Sequence, residues 1–254
     1  MKIAVCLKQV PARDWPPRVN EDATWVRDQD ATFEVNEPDA YALEAGLRLK
    51  EQHGGEVVVC SAGPARVAQA LREALARGAD RAIHVEDDAL AAADAWAVAG
   101  ALATAMRDEA FDLVLTGLQS DDQGSAQTGV MLAATLGISS ATIVMDVDVR
   151  PPVVRVKREL EGGWFQWVTL PLPALVTIQS GINQLRYATL KGIMAAKKKE
   201  IRKAAPPAGL ASRQRITRLH VPEKQKQTHM IGGAPAEAAK ALVTALRDDA
   251  RVIS

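Results

Sequence analysis

Cysteine is scarce in this 254-residue chain: there are two, Cys6 and Cys60, each at or near the end of an apolar run. Thiols so placed are usually small buried hydrophobes, which excludes a disulfide framework, and neither has the neighbours that a metal cluster needs. Net charge is lacking too. The 31 basic and 31 acidic residues cancel, so the chain as a whole has no electrostatic bias toward nucleic acid or anionic membrane. No run approaches about eighteen uninterrupted apolar residues, and the apolar stretch after Lys2 is too short for a signal sequence, so no membrane insertion and a cytoplasmic location are expected. The usual catalytic signatures are missing as well: there is no G-x-G-x-x-G after the first strand, no G-x-x-x-x-G-K-S/T, no H-E-x-x-H and no G-x-S-x-G. His53, His84, His220 and His229 are scattered without metal-ligand spacing, which argues against a metal site. His84 is expected in or at the end of a strand and the other three on the surface.

What is present is a core and an uneven charge distribution. The chain is 48% hydrophobic, enough for one large α/β domain with an appendage. Residues 1–190 carry 17 Lys and Arg against 26 Asp and Glu, and residues 191–254 carry 14 against 5. A neutral total therefore hides an acidic body and a basic arm. Ile3–Leu7, Val57–Ser61, Ala82–Val85 and Leu113–Thr116 are nearly continuous apolar runs, the pattern of strands buried on both faces. Helix-period segments separate them: Asp39–Gln52, introduced by Asn36 as a capping residue and Pro38; a second with Val67, Leu71, Ala74 and Leu75 on one face and Gly78 as its cap; and a third with Val98, Leu102, Ala105 and Met106. Such alternation predicts a parallel sheet covered by helices on both faces. Beyond Ala141 the pattern becomes extended over Thr142–Val149, Val153–Leu160 and Trp164–Thr169, with Glu161-Gly162-Gly163 as a hairpin turn, and Leu172–Ile178 adds another strand. After Tyr187 come a lysine-rich helix start, a Pro-Pro segment and a final helix from Pro235 to Asp248. The organisation expected is an α/β nucleotide-binding domain over residues 1–190 and an arm over 191–254 with few core contacts of its own.

Three loops follow the carboxyl ends of these strands, where open α/β sheets bind ligands. They are Lys8-Gln9-Val10-Pro11, the small-residue turn Ser61-Ala62-Gly63-Pro64, and the stretch Gly117-Leu118-Gln119-Ser120-Asp121-Asp122-Gln123-Gly124-Ser125-Ala126-Gln127-Thr128-Gly129. Glycines, hydroxyls and amides leading into a helix suit a phosphate, because free N–H groups and the helix dipole favour an anion. The other reading is ordinary capping of that helix by Ser125 or Asp122. Asp121 and Asp122 fit an anion site only if they point away or hold the loop's own backbone. Tyr187–Met194 with the lysines after it is either a helix start with a solvated face or an apolar hook beside positive charge. Lys197–Lys199 lacks the interleaved aromatics of a single-strand nucleic-acid site.

Taken in order, Val5-Cys6-Leu7-Lys8-Gln9-Val10-Pro11, Asn36 through Leu43-Glu44 to Glu51, Ala76-Arg77-Gly78-Ala79-Asp80-Arg81-Ala82-Ile83-His84-Val85, Gln127-Thr128-Gly129, Lys157 to Gly163 and Asn183 to Lys198 resemble the β subunit of electron transfer flavoprotein. The resemblance implies an open, mostly parallel, doubly wound sheet of the adenine nucleotide alpha hydrolase-like kind with a β-hairpin addition, and a C-terminal arm wrapping a partner. It implies a heterodimer with an α subunit that holds most of the FAD, an AMP in this chain, and no catalytic turnover by this chain alone. Electrons would pass from primary dehydrogenases to a membrane quinone oxidoreductase or another acceptor. Carried over by position, the AMP site is Cys6, Asn36, Glu37, Pro38, Asp39, Ala62 and Gly117 to Thr128. Leu190 stands at the family's recognition-loop leucine, and Glu159 matches a glutamate that interacts with the flavin-bearing subunit. Pro38 stands where many members have an aromatic residue near the flavin, which puts a flavin contact there in doubt. Gln119-Ser120-Asp121-Asp122-Gln123 and Thr177-Ile178-Gln179-Ser180-Gly181-Ile182-Asn183 look like the methylotroph branch that serves trimethylamine dehydrogenase. Two alternatives remain: an electron-bifurcating relative with a second FAD in place of AMP, and a stand-alone adenine-nucleotide-binding protein.

Overall fold

The computed structural model describes residues 1–222 and 228–253. Two compact units are present, Met1–Leu219 and His220–Ser254. In the first, the chain runs through β1 (Lys2–Cys6), β2 (Gln9–Pro11), β3 (Phe33–Val35), α1 (Glu37–His53), β4 (Glu56–Gly63), α2 (Ala68–Arg77), β5 (Arg81–Glu86), α3 (Ala95–Met106), β6 (Leu113–Gly117), α4 (Thr128–Leu136), β7 (Ser139–Arg150), β8 (Val153–Glu159), β9 (Phe165–Pro171), β10 (Ala174–Ile178), α5 (Leu190–Ala196) and β11 (Ile201–Ala204). The second contains α6 (Pro235–Thr244).

The apolar strands stack into one sheet in the order β11-β5-β4-β1-β6-β10-β7-β8-β9. Pairing is parallel from β11 to β7 and antiparallel through β8 and β9. Because side chains alternate along a strand, a run that is apolar at every position feeds two cores. Ile3 and Val5 pack with Leu43 and Leu47 of α1 and Leu71 and Leu75 of α2, whereas Ala4 and Cys6 pack with Leu102 and Met106 of α3 and Leu132 of α4. The sheet is therefore doubly wound, as the pattern predicts. α1 forms where proline sits in the first turn, Glu37 and Asp39 complement the positive end of the helix, Lys50 the negative end, and Gly54 leaves it at φ +71°.

Several features depart from the sequence reading. The expected hairpin is built, β8 pairing antiparallel with β9 across Glu161–Gly163, but β7 joins it to make a meander, while β10, last of the four in sequence, inserts between β6 and β7. Gln9–Pro11 is not loop but pairs antiparallel with Phe33–Val35. Residues 191–204 are not arm-like. Ala196 is buried, Arg72 donates to the Ala196 and Lys199 carbonyls (both 2.6 Å), Lys199 donates to the Leu75 carbonyl (3.1 Å), and β11 extends the sheet beside β5. The reason is that this attachment is made by the Arg72 and Lys199 side chains, each reaching backbone carbonyls of the other's segment, and by the pairing of β11 with β5, contacts with no hydrophobic period to read. Arg213 lies over the Trp96 ring at 3.7 Å, and the Asp94 carboxylate accepts from the Arg213 and Gln214 N–H groups (2.6 and 2.8 Å), so the body extends past the expected boundary at Leu190.

Candidate functional site

β4 lies on one side of β1 and β6 on the other. The connections leaving the tops of β1 and β6 therefore diverge, and a crevice opens between them, the topological switch point at which open α/β sheets take their ligands. Its enclosed space is about 110 Å³, and the crevice opens from there to solvent. Of the residues carried over from the sequence, Cys6, Asn36, Asp39, Ala62, Gly117, Leu118, Gln119, Ser120, Gln123, Ser125, Ala126, Gln127 and Thr128 line it; Glu37, Pro38, Asp121, Asp122 and Gly124 do not.

The floor is held by the start of α1. Asp39 accepts hydrogen bonds from the Lys8 N–H (2.7 Å) at the end of β1 and the Gly117 N–H (2.8 Å) at the end of β6. Asn36 precedes the helix as expected, but its side chain does not cap it. Its amide donates to the Gln119 carbonyl (3.0 Å) and accepts from the Asp121 N–H (2.9 Å). Both residues are buried, at 1% and 6% exposure. A single helix start thus fastens both edges of the crevice. Pro38 is buried in the same turn, beneath Gly117, rather than presented to a ligand.

Burial pushes the Asp39 carboxyl up to about 7, against the opposing pull of the Lys8 and Gly117 N–H donors and the Lys8 charge. A native acid that holds its proton above its unfolded value of 3.8 loses stability as pH rises through the folded value. Between pH 5 and 8 the group should lower stability by about 3 kcal/mol, at 1.36 kcal/mol per unit. Denaturant unfolding at those two pH values is expected to show this fall in the wild type and to show it reduced in Asp39→Asn. Equal slopes would contradict it.

The wall from β6 into α4 decides between the two readings of its loop. Asp122 accepts from its own neighbour's Gln123 N–H (2.8 Å) and pairs with the Lys8 ammonium (2.7 Å). Asp121 accepts from the Glu37 N–H (3.4 Å) and lies 3.9 Å from Arg13, which also pairs with Glu37. Both acids hold the loop and neither faces the crevice. The Lys8 ammonium spans the opening to Ser120 Oγ (3.3 Å) and Gln123 Oε1 (3.4 Å). α4 then starts at Thr128 with Gln127 before it and no side-chain cap. Capping by Ser125 or Asp122 is therefore not what is built, and the first-turn N–H groups, beside Lys8 and Ser120, are suited to an anion.

The opposite wall was not legible as part of the site. Leu90, Ala91, Ala93, Ala95, Val98 and Leu102 close the crevice, where Asp87 accepts from the Ala89 N–H (2.8 Å) and Asp94 from the Ala97 N–H (2.9 Å) to shape an alanine-rich turn. Two aspartates flanking a run of alanines were the available signal. Small side chains there and at Ala62 give a flat, weakly polar slot in which a planar ring can lie.

Cys6 is buried 4.0 Å from the Met106 sulfur, and desolvation pushes its thiol well above the ordinary range. His84 lies buried in β5, its Nε2 3.0 Å from the Gly63 carbonyl, and His53, His220 and His229 are exposed. Among the described residues no group of three or more His, Cys, Asp and Glu side chains is gathered, and no helix is long and apolar enough to cross a membrane. Glu159, at the end of β8, accepts from the Gln179 amide (3.2 Å). Leu190 opens α5 at 78% exposure, next to Tyr187 at 92% and half-exposed Ile193 and Met194, so the Tyr187–Met194 segment is an apolar projection and not merely a solvated helix start.

A family model described as electron transfer flavoprotein domain matches residues 24–208. The chain is 40% identical to the electron transfer flavoprotein subunit beta of Methylophilus methylotrophus, over 94% of this chain and 96% of that protein. Identity is 34% to the subunit beta of Bacillus subtilis, over 90% and 91%, and 37% to that of Sus scrofa, over 92% of each.

Proposed function

The chain belongs to the electron transfer flavoprotein family, as a β subunit, and from that premise we propose that its crevice holds one AMP as a permanent structural ligand while an α subunit carries FAD. The observation that carries this reading is the uncapped start of α4 beside Lys8 and Ser120, opposite an alanine-lined wall. The phosphate would be held by the Ser125–Gly129 backbone and the Lys8 ammonium, and the adenine would lie among Ala62, Ala91, Ala93 and Val98. FAD, when bound mainly by the partner, supplies the redox chemistry, and its electronics are tuned by groups of that partner.

The role of this chain is then to carry and dock, not to turn over substrate. Leu190 anchors the complex on a dehydrogenase while the flavin-bearing portion samples orientations, and electrons move on to a quinone oxidoreductase or another acceptor. Glu159, at the tip of the antiparallel meander, faces the flavin-bearing subunit, and the C-terminal stretch from His220 onward covers that subunit. The 40% identity to the methylotroph protein supports the likeness of the Gln119–Gln123 loop to that branch.

Small molecules released by denaturing the purified heterodimer test the assignment. One FAD and one AMP per pair are expected. Two flavins and no AMP would place the protein with the bifurcating relatives, and a colourless, monomeric chain that hydrolyses ATP would leave only a stand-alone nucleotide-binding function.

A further inference from the structure

The exposed Tyr187–Leu190 segment is seated on an ion-pair cluster centred on one buried carboxylate, Glu44, whose partners reach the surface. Glu44, Arg48 and Glu51 recur at helical spacing on one face of α1. Glu44 is only 4% exposed, and both its oxygens are occupied. Oε2 accepts from Arg186 Nε (2.7 Å), and Oε1 accepts from Arg186 Nη2 (3.1 Å) and Arg48 Nε (2.7 Å). Arg186 also donates to Glu51 (2.6 Å), Arg48 donates to the Gln184 carbonyl (2.9 Å), and Asn183 donates to the Tyr41 carbonyl (3.1 Å). On the far side, Thr189 caps α5 by accepting from the Gly192 N–H (3.0 Å), and Gly192 lies so close to the Ala76 carbonyl that a Cβ there would overlap it. Burial pushes the Glu44 carboxyl up, but the hydrogen bonds from Arg186 and Arg48 more than offset it and hold the group below the ordinary carboxylate range, so the clamp stays charged at neutral pH.

A buried ion pair is a poor device for stability, since well-packed apolar residues of similar volume do as well or better. What it does supply is one fixed geometry. The segment it fixes packs on the core only through partly buried Ala188 and presents the most exposed large apolar side chains of the body, Tyr187 and Leu190. We propose that Glu44 is a positioning residue for partner docking: through Arg186 it holds the Tyr187–Leu190 segment in its docking-ready shape, so that little ordering remains when a dehydrogenase binds. This rests on the docking role of Leu190.

The test uses the assembled heterodimer as electron acceptor for trimethylamine dehydrogenase and for an acyl-CoA dehydrogenase, following whichever reduces the wild type saturably. Glu44→Gln is expected to raise KM for the heterodimer about tenfold, with kcat, FAD and nucleotide content unchanged. In a Leu190→Ala background the same substitution should have no further effect on KM, because the segment it positions has lost its anchor. A wild-type KM in Glu44→Gln, or an equal additional rise on top of Leu190→Ala, would overturn the proposal and leave Glu44 a structural residue. Should Glu44→Gln fail to assemble, Arg186→Gln, on the more exposed side of the pair, carries the same comparison. A wild-type heterodimer reduced by neither dehydrogenase would instead remove the docking reading itself.

Discussion

Gly117→Ala is expected to destabilise the fold by about 3 kcal/mol and to empty the crevice of the nucleotide proposed for it. Gly117 ends β6, where its N–H is bound by Asp39. A Cβ at this position would overlap the Asp39 carboxylate, the Asp39 backbone nitrogen and the Pro38 carbonyl carbon. None of these is the free end of a flexible side chain, so the start of α1 has to move away from the sheet. Overpacking of a core generally costs about 1–3 kcal/mol, and the upper end applies where backbone must yield. The same movement stretches the Asp39 bonds to Lys8 and Gly117 and the Asn36 bonds to Gln119 and Asp121, which set the width of the crevice. Thermal unfolding and the nucleotide released from the purified heterodimer measure the two effects. A variant with wild-type melting temperature and one AMP per pair would show that the helix start is not what shapes the site.

Leu190→Ala is expected to do the reverse: nothing to stability and much to electron transfer. At 78% exposure the side chain has little packing to lose within this chain, and substitutions at such positions usually stay within about 0.5 kcal/mol. Under the proposed docking role, its removal from a pocket on a dehydrogenase is another matter. Losing a leucine anchor at an interface centre forfeits about 2 kcal/mol or more, or about thirtyfold in kcat/KM at 1.4 kcal/mol per tenfold. Flavin content, AMP content and melting temperature should match the wild type. Steady-state reduction by a dehydrogenase checks this, and an unchanged kcat/KM would take the anchor role from Leu190.

Much of the fold was legible because a doubly buried parallel strand has an unmistakable composition. Ile3–Leu7 and Leu113–Thr116 needed no partner information to be placed in a sheet, and Gly78 marked the end of its helix, which it leaves at φ +133°. The crevice was legible in outline for a related reason: ligands sit beyond the carboxyl ends of strands, and those ends could be located. Its internal wiring was not. Asn36 has the composition of a helix cap, but its amide serves Gln119 and Asp121, more than eighty residues away in sequence. Asp121 and Asp122 spoke against an anion by type, and only their bonding partners showed that their charge is spent on the loop. Ala91 and Ala93 carried no signal of their own beyond the aspartates, Asp87 and Asp94, that flank them.

The sequence by itself determined the alternation of strand and helix, the two-sided burial of the sheet and the family, since these depend on local apolar pattern and on residues read in order. Tertiary structure alone decided which strand neighbours which, as with β10 inserted between β6 and β7. It also decided that residues 191–204 belong to the body and that a buried glutamate on α1 seats an exposed leucine on α5. Those outcomes rest on hydrogen bonds and ion pairs between distant segments, whose energy depends on distance and desolvation. Neither quantity exists until the chain has folded.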